Sequence, residues 1–351
     1  KSTTSTEEGT ATSPFLKEAN YYRQLEGDRV QCELCPNRCI LAEGQRGVCK
    51  VRENRDGKLY SLVYGRVVTT HLDPIEKKPL YHFLPGAKAY SLATAGCSLA
   101  CNYCQNWDIA QKFPEDLPSQ KMSPQEVVAA AQEMGAEVVA FTYNEPVVWY
   151  EFMLDIAKEA RAQGLKSVVI TSGYINREPM EELLKYLDGV KIDLKGFNED
   201  YYAKMVGGKL EPVLDTLKLV KESGTHLEIV TLLVPGQNDD PEEVSEMCRW
   251  ILENLGDEVP LHFSRFHPAY KLQNLPPTPE ETVRGARQTC LDLGLKYVYT
   301  GNIPDVAGST TFCPDNGQPL VVRKGYTATE NLIDPSGMAP DCPSPIPGVW
   351  H

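Results

Sequence analysis

The chain has 351 residues, 42% of them hydrophobic and 24% charged, enough apolar matter for one large or two moderate cores and too much for a disordered or fibrous protein. Its formal charge of −13 and the lack of a Lys/Arg cluster argue against a nucleic-acid backbone as main partner, and no apolar run reaches the length of a membrane helix. Seven of the 11 cysteines fall in two tight groups, Cys32 to Cys49 and Cys97 to Cys104, a pattern of metal or cluster binding in a reducing, cytoplasmic setting rather than of a disulfide scaffold. The Ser-, Thr- and Glu-rich stretch 1–17 predicts a disordered leader. A first residue of Lys1 predicts a fragment or a processed product, and removal of an export signal would change the compartment.

A Cys-rich segment with a Gly- and Pro-punctuated continuation spans 18–88. It contains Cys32-x2-Cys35-x3-Cys39-x9-Cys49 and a strand-like run Leu59–Tyr64. Four thiolates at short spacing predict a closed site, either structural zinc or a second, electron-relaying iron–sulfur cluster, which would add folding energy to a segment with little core of its own. The block Asp73–Lys78 reads as a hairpin cover over the segment that follows, or as a gate to it. From 89 to 302 short apolar strands alternate with amphipathic helices. The strands are expected at Ala89–Thr94, Glu137–Tyr143, Lys166–Thr171, Gly189–Leu194, His226–Val234, Pro260–Arg265 and Tyr297–Thr300. Helix starts are marked by Ser123-Pro124 with Glu126 as a capping box, by Asp240-Pro241 and by Thr278-Pro279, and helix ends by Gly135 and Gly294. Such alternation predicts an α/β fold with a parallel sheet, and a doubly wound open sheet is one arrangement of it. Residues 303–351 form an irregular C-terminal extension, with Cys313 and Cys342 as a disulfide or two free thiols and no metal. Cys248 and Cys290 lie on predicted helices as core residues.

The loop after the first strand of the alternating region carries Cys97-x3-Cys101-x2-Cys104. Three thiolates at this spacing can hold three corners of a 4Fe–4S cluster, leaving one iron open for chemistry. Zinc binding with His71 or His82, disulfides, and unligated core cysteines are the alternatives. In parallel α/β folds chemistry gathers at the C-terminal strand ends. Those ends carry Glu145 before Pro146; Ser172 and Asn176, the latter also a candidate helix cap; Asp193 and Lys195, facing one side by alternation or forming a structural ion pair; and His262 and Arg265, candidate catalytic or substrate contacts beside His267.

The triad with Tyr103 before its last cysteine resembles the radical SAM superfamily. The blocks Cys35-Pro36, Asp73–Gly86, Cys104–Trp107 and Ser264–Pro268, within a similarity running from about Tyr22 to the C-terminus, resemble the radical SAM enzyme of the AmmeMemoRadiSam system, a relative of pyruvate formate-lyase activating enzymes. The resemblance implies a partial (βα)6 TIM-like radical SAM barrel over 89–302. It also implies S-adenosylmethionine chelated at the open iron and cleaved to a radical that abstracts hydrogen. Glu145 would hold the cofactor's amino group, with Ser172, Asn176, Asp193 and Lys195 near its ribose or carboxylate and the backbone at Tyr299–Pro304 near its adenine. It further implies a reductant protein such as ferredoxin or flavodoxin, and a protein substrate if the chain installs a glycyl radical on a partner. A non-catalytic metal-binding or electron-transfer protein is the reading from another class. Relatives of this type carry paired cysteines near the C-terminus, from which this chain departs with one in each half.

Overall fold

The computed structural model describes residues 13–351, so the expected leader falls mostly on 1–12, outside the described residues. From Ser13 the chain is part of the fold: Lys17–Glu18 pairs with Ser61 and Tyr60 at the edge of a small antiparallel sheet.

The centre is an eight-stranded sheet. In chain order its elements are β1 (Thr69–Pro74), β2 (Lys88–Ala93), α1 (Pro124–Glu133), β3 (Val138–Phe141), α2 (Tyr150–Ala162), β4 (Lys166–Thr171), α3 (Arg177–Leu184), β5 (Gly189–Asp193), α4 (Glu211–Ser223), β6 (His226–Leu233), α5 (Pro241–Leu255), β7 (Leu261–Arg265), α6 (Glu280–Asp292) and β8 (Val298–Gly301). Strands β2 to β8 lie parallel and in sequential order, which rules out the order reversal of a doubly wound sheet. The two end strands, β1 and β8, are not paired with each other. Strand β1 runs antiparallel to β2, with Asp73 opposite Ala89. The block expected as a cover thus begins as a sheet strand, and a continuous ladder crosses position 89.

The helix signals act as predicted at two of three starts. Ser123 and Glu126 close a reciprocal capping box, and Asp240 accepts from the amides of Glu242 and Glu243. Thr278 does not cap α6. Its hydroxyl is buried, donates to the Leu233 carbonyl at 2.6 Å and accepts from the Phe266 amide at 3.0 Å, tying β6 to the loop after β7. Cys248 on α5 and Cys290 on α6 are buried as expected but joined as a disulfide, and Cys313 is joined to Cys342. The C-terminal extension, expected to be irregular, holds a three-stranded antiparallel sheet formed by Thr311–Phe312, Pro319–Lys324 and Thr327–Asn331.

The segment Ile75–Ala87 and the C-terminal tail close the lower end of the sheet, where the parallel strands begin. Glu228 of β6, fully buried, accepts from the backbone amides of Tyr81 at 3.0 Å and His82 at 2.7 Å and from the rings of His226 and His262. His82 Nδ1 donates to the Pro347 carbonyl at 2.7 Å, so its Nε2 is left to accept from the Tyr299 hydroxyl at 2.6 Å and the ring is neutral. Burial accordingly pushes the His82 pKa down to about 3. Between the unfolded value of about 6.5 and that value, the unfolded chain binds a proton that the native ring refuses. Stability from this group is therefore complete above about pH 6.5 and lost on acidification at about 1.4 kcal/mol per pH unit. Between about pH 6 and 4, the unfolding free energy read from urea titrations should fall with acidification less steeply in His82→Gln, by about that amount per pH unit. Equal slopes would place the titration elsewhere.

Candidate active site

The three cysteines of the loop after β2 are free and line one cavity of about 320 Å³ at the C-terminal ends of the parallel strands. Backbone contacts hold the loop in place. Ala100 and Asn102 donate from their amides to Val206 and Met205 at 2.9 Å, and Asn144 Nδ2 donates to Gly96 O at 2.9 Å. Gly96, at φ +89°, is required, since a Cβ there would lie 2.4 Å from the Cys49 carbonyl.

Glu145 follows β3 and is buried beside Cys97. Its carboxylate accepts from Thr171 Oγ1 at 2.6 Å, from the Ser172 hydroxyl at 2.6 Å and amide at 2.9 Å, and from the Val147 amide at 3.2 Å. These uncharged donors fix the side chain, and its carboxylate forms part of the cavity wall. Ser172 reaches the cavity chiefly as a partner of Glu145. On β5, Asp193 bridges two lysines, Lys191 and Lys195, the latter at 2.9 Å. Burial raises the carboxyl's pKa, but the two ammonium groups outweigh it and hold the pKa down at about 2. Burial pushes the Cys101 thiol up to about 11, with the Lys195 charge opposing.

Three expected site residues lie elsewhere. Asn176 points away from the cavity, donates from Nδ2 to the Glu33 carbonyl at 2.6 Å and makes no helix-cap bond, so it fastens the Cys-rich segment to the sheet. His262 does face inward, but one layer too deep. Along β7 it alternates with Ser264, and Ser264 reaches the cavity while His262 joins Glu228, Tyr81 and Tyr299 beneath it. Arg265 faces the other side, where its Nε donates to the Thr278 carbonyl at 2.7 Å.

Other residues come in their place. Lys78 is buried, bonds Asp73 at 2.6 Å and lies 4.8 Å from the centre of the Tyr143 ring. Burial pushes its pKa down to about 8 against the pull of Asp73. Asp73 also accepts from the Tyr143 hydroxyl at 2.5 Å, and Tyr143 stands at φ +70°, a strained value for a residue with a side chain. Lys191 was detectable by its alternation with Asp193. Lys78 was legible only within the block read as a cover or a gate, because only the tertiary course of Ile75–Ala87 carries it under the cavity.

Thiolates are soft donors suited to iron–sulfur clusters, and these three stand free at one end of a cavity that has a carboxylate and ammonium groups on its walls. The donor set fits the group that the spacing implies. The family model described as the radical SAM superfamily matches residues 91–250. An uncharacterized protein of Methanocaldococcus jannaschii is 45% identical over 313 residues, covering 89% of this chain and 93% of its own. The chain belongs to the radical SAM superfamily. A pyruvate formate-lyase-activating enzyme of Staphylococcus epidermidis is 28% identical over 63% of this chain and 92% of its own. The crystal structure of a domain of such an enzyme from Bacteroides vulgatus overlays with a TM-score of 0.42 at 23% identity, over 47% of this chain and 98% of that one. The match to the radical SAM model begins within β2 and ends on α5, so it contains the three cysteines, Glu145 and the Asp193–Lys195 pair.

Proposed function

We propose that this chain is the radical SAM enzyme of the AmmeMemoRadiSam system and that its open sheet is the partial barrel of that superfamily. In this reading Cys97, Cys101 and Cys104 hold a 4Fe–4S cluster, and Glu145, Ser172, Asp193 and Lys195 contribute to holding S-adenosylmethionine. The observation that carries it is the convergence of three free thiols, a fixed buried carboxylate and an Asp–Lys pair on one cavity. When bound, the cluster and S-adenosylmethionine supply one-electron cleavage of the cofactor and a hydrogen-abstracting radical. Glu145 accepts the cofactor's ammonium group, Ser172 and Thr171 keep the carboxylate turned to it, and Lys195 sets a positive charge beside Cys101. The electron comes from a reductant protein of the ferredoxin or flavodoxin class. The substrate-facing floor is formed by Lys78, Lys191, Val230 and Ser264.

The test is anaerobic reconstitution with iron and sulfide followed by a strong reductant. The expected products are 5′-deoxyadenosine and methionine, and a cluster-loaded protein that forms neither overturns the proposal. Glu145→Gln keeps the shape and removes the charge. It should weaken S-adenosylmethionine binding about 10- to 100-fold, the value of a charge-assisted hydrogen bond of about 1.5–3 kcal/mol, as measured by equilibrium dialysis. A second reading, a glycyl-radical activase, is favoured by the activating-enzyme relatives of Staphylococcus epidermidis and of Escherichia coli K12, the latter 24% identical over 58% of this chain. It expects a stable complex with a protein partner that becomes radical-bearing.

A further inference from the structure

The four cysteines of the N-terminal segment are all free, with Cys32 and Cys49 buried and Cys35 and Cys39 half-buried. They are brought together by the strand Arg29–Cys32, the turn at 33–38 and the loop that returns through Gly47, whose missing side chain leaves its Cβ position 3.6 Å from both the Cys39 and the Cys49 sulfurs. Among the described residues, only Asp315 with the disulfide-joined Cys313 and Cys342 brings three potential ligand atoms within 4.8 Å of one another. No three of the four segment sulfurs meet that limit. Thiolates on one tetrahedral zinc ion, with Zn–S bonds of about 2.3 Å, sit about 3.8 Å apart. A cubane places each thiolate on a different iron and holds them wider. The triad Cys97, Cys101 and Cys104 likewise forms no group within that limit.

A second observation lies beside the same site. Arg52, with about 2% of its surface exposed, follows Cys49 by three residues, and its carbonyl accepts at 2.9 Å from the amide of Gly47, the residue packed against the Cys39 and Cys49 sulfurs. Its terminal nitrogens are taken by Glu151 and the Asn20 carbonyl, while its buried Nε has no partner. A buried donor without an acceptor is costly, and an anionic sulfur site would supply one. The segment also rests directly on the cluster loop. The Cys49 carbonyl touches Gly96, the residue before Cys97. Asn37 Nδ2 donates to the Ser98 carbonyl at 2.8 Å, and Lys50 Nζ donates to the Gln111 carbonyl at 2.6 Å.

We infer that Cys32, Cys35, Cys39 and Cys49 hold a second, fully ligated 4Fe–4S cluster. It passes single electrons from an external donor protein of the ferredoxin or flavodoxin class to the site at Cys97, Cys101 and Cys104. With four protein ligands it has no open iron, and it gains and loses one electron without making or breaking a bond. The choice of metal stands on the segment alone, while the relay role rests on the proposed radical SAM reading.

The experiment uses the full chain, reconstituted and purified anaerobically, beside a variant carrying Cys97→Ser, Cys101→Ser and Cys104→Ser, which leaves the segment intact. The wild type should hold about eight iron and eight sulfide per chain, and the variant about four of each with a reduced-cluster electron paramagnetic resonance signal. About one zinc per chain, with about four iron in the wild type and none in the variant, overturns the site, and the wild-type ratio decides this even if the variant does not fold. On reduction, the wild-type resonance should be broadened by two neighbouring spins and the variant's should not. Two independent, unbroadened wild-type signals overturn the relay. If the variant retains iron while the wild type cleaves no S-adenosylmethionine, the proposed function fails and the second cluster stands.

Discussion

Cys101→Ala is expected to lower S-adenosylmethionine cleavage by roughly a thousandfold or more, to the background of protein without a cluster, because it removes a ligand that no nearby side chain can replace. Among the described residues, the cavity lining holds no other thiol and no histidine beside the triad. The loss should be of function and not of fold. The loop around Cys101 is held by its own backbone, through Ala100 and Asn102 bonding to Val206 and Met205, so far-ultraviolet circular dichroism and the urea midpoint should stay close to wild type. Product is read by chromatography after anaerobic reduction. Equal yields of 5′-deoxyadenosine from both proteins would remove the triad from the reaction.

The largest stability effect is expected at Arg52. Its guanidinium pairs with Glu151 on α2 at 3.0 Å, and both side chains are almost wholly buried. Arg52→Met leaves the Glu151 carboxylate buried with, among the described residues, only the Asn20 amide as partner, at 2.8 Å. Removing one partner of a buried pair costs about 3–5 kcal/mol, because a desolvated charge is stranded. The double substitution Arg52→Met with Glu151→Leu removes both charges and should recover most of that loss. Urea unfolding of the three proteins checks this. A single substitution costing under about 1 kcal/mol would mean that water reaches Glu151. The pair joins the Cys-rich segment to the helix after β3, so its loss should also loosen the segment's hold on the cluster loop.

Much of this was legible in sequence for local reasons. Parallel strands covered on both faces need short apolar runs, and each expected run from Ala89 to Thr300 is a strand within a few residues of its predicted ends. Caps at Ser123 and Asp240 depend on atoms two or three residues away, and the cysteine spacings are fixed by the chain itself. The family followed from the same local features, the triad spacing and the strand-end Glu145.

What failed depended on distance in sequence. Strand alternation shows that His262 and Ser264 face the same side, yet not which layer each occupies; the level of Glu228 and the plug at Tyr81 and His82 decides that. Asn176 carries the same amide whether it meets a cofactor or the Glu33 carbonyl, and the docking of a segment 143 residues away makes the choice. Cys248 and Cys290 pair only because α5 and α6 lie side by side. By itself the sequence determined the strands, the helix starts and the two sets of thiols, since these are set by neighbours along the chain. Only the tertiary structure decided that Lys78 lines the cavity, that His262 does not, and that the second set of thiols rests against the first, because those are contacts between surfaces that the chain brings together only on folding.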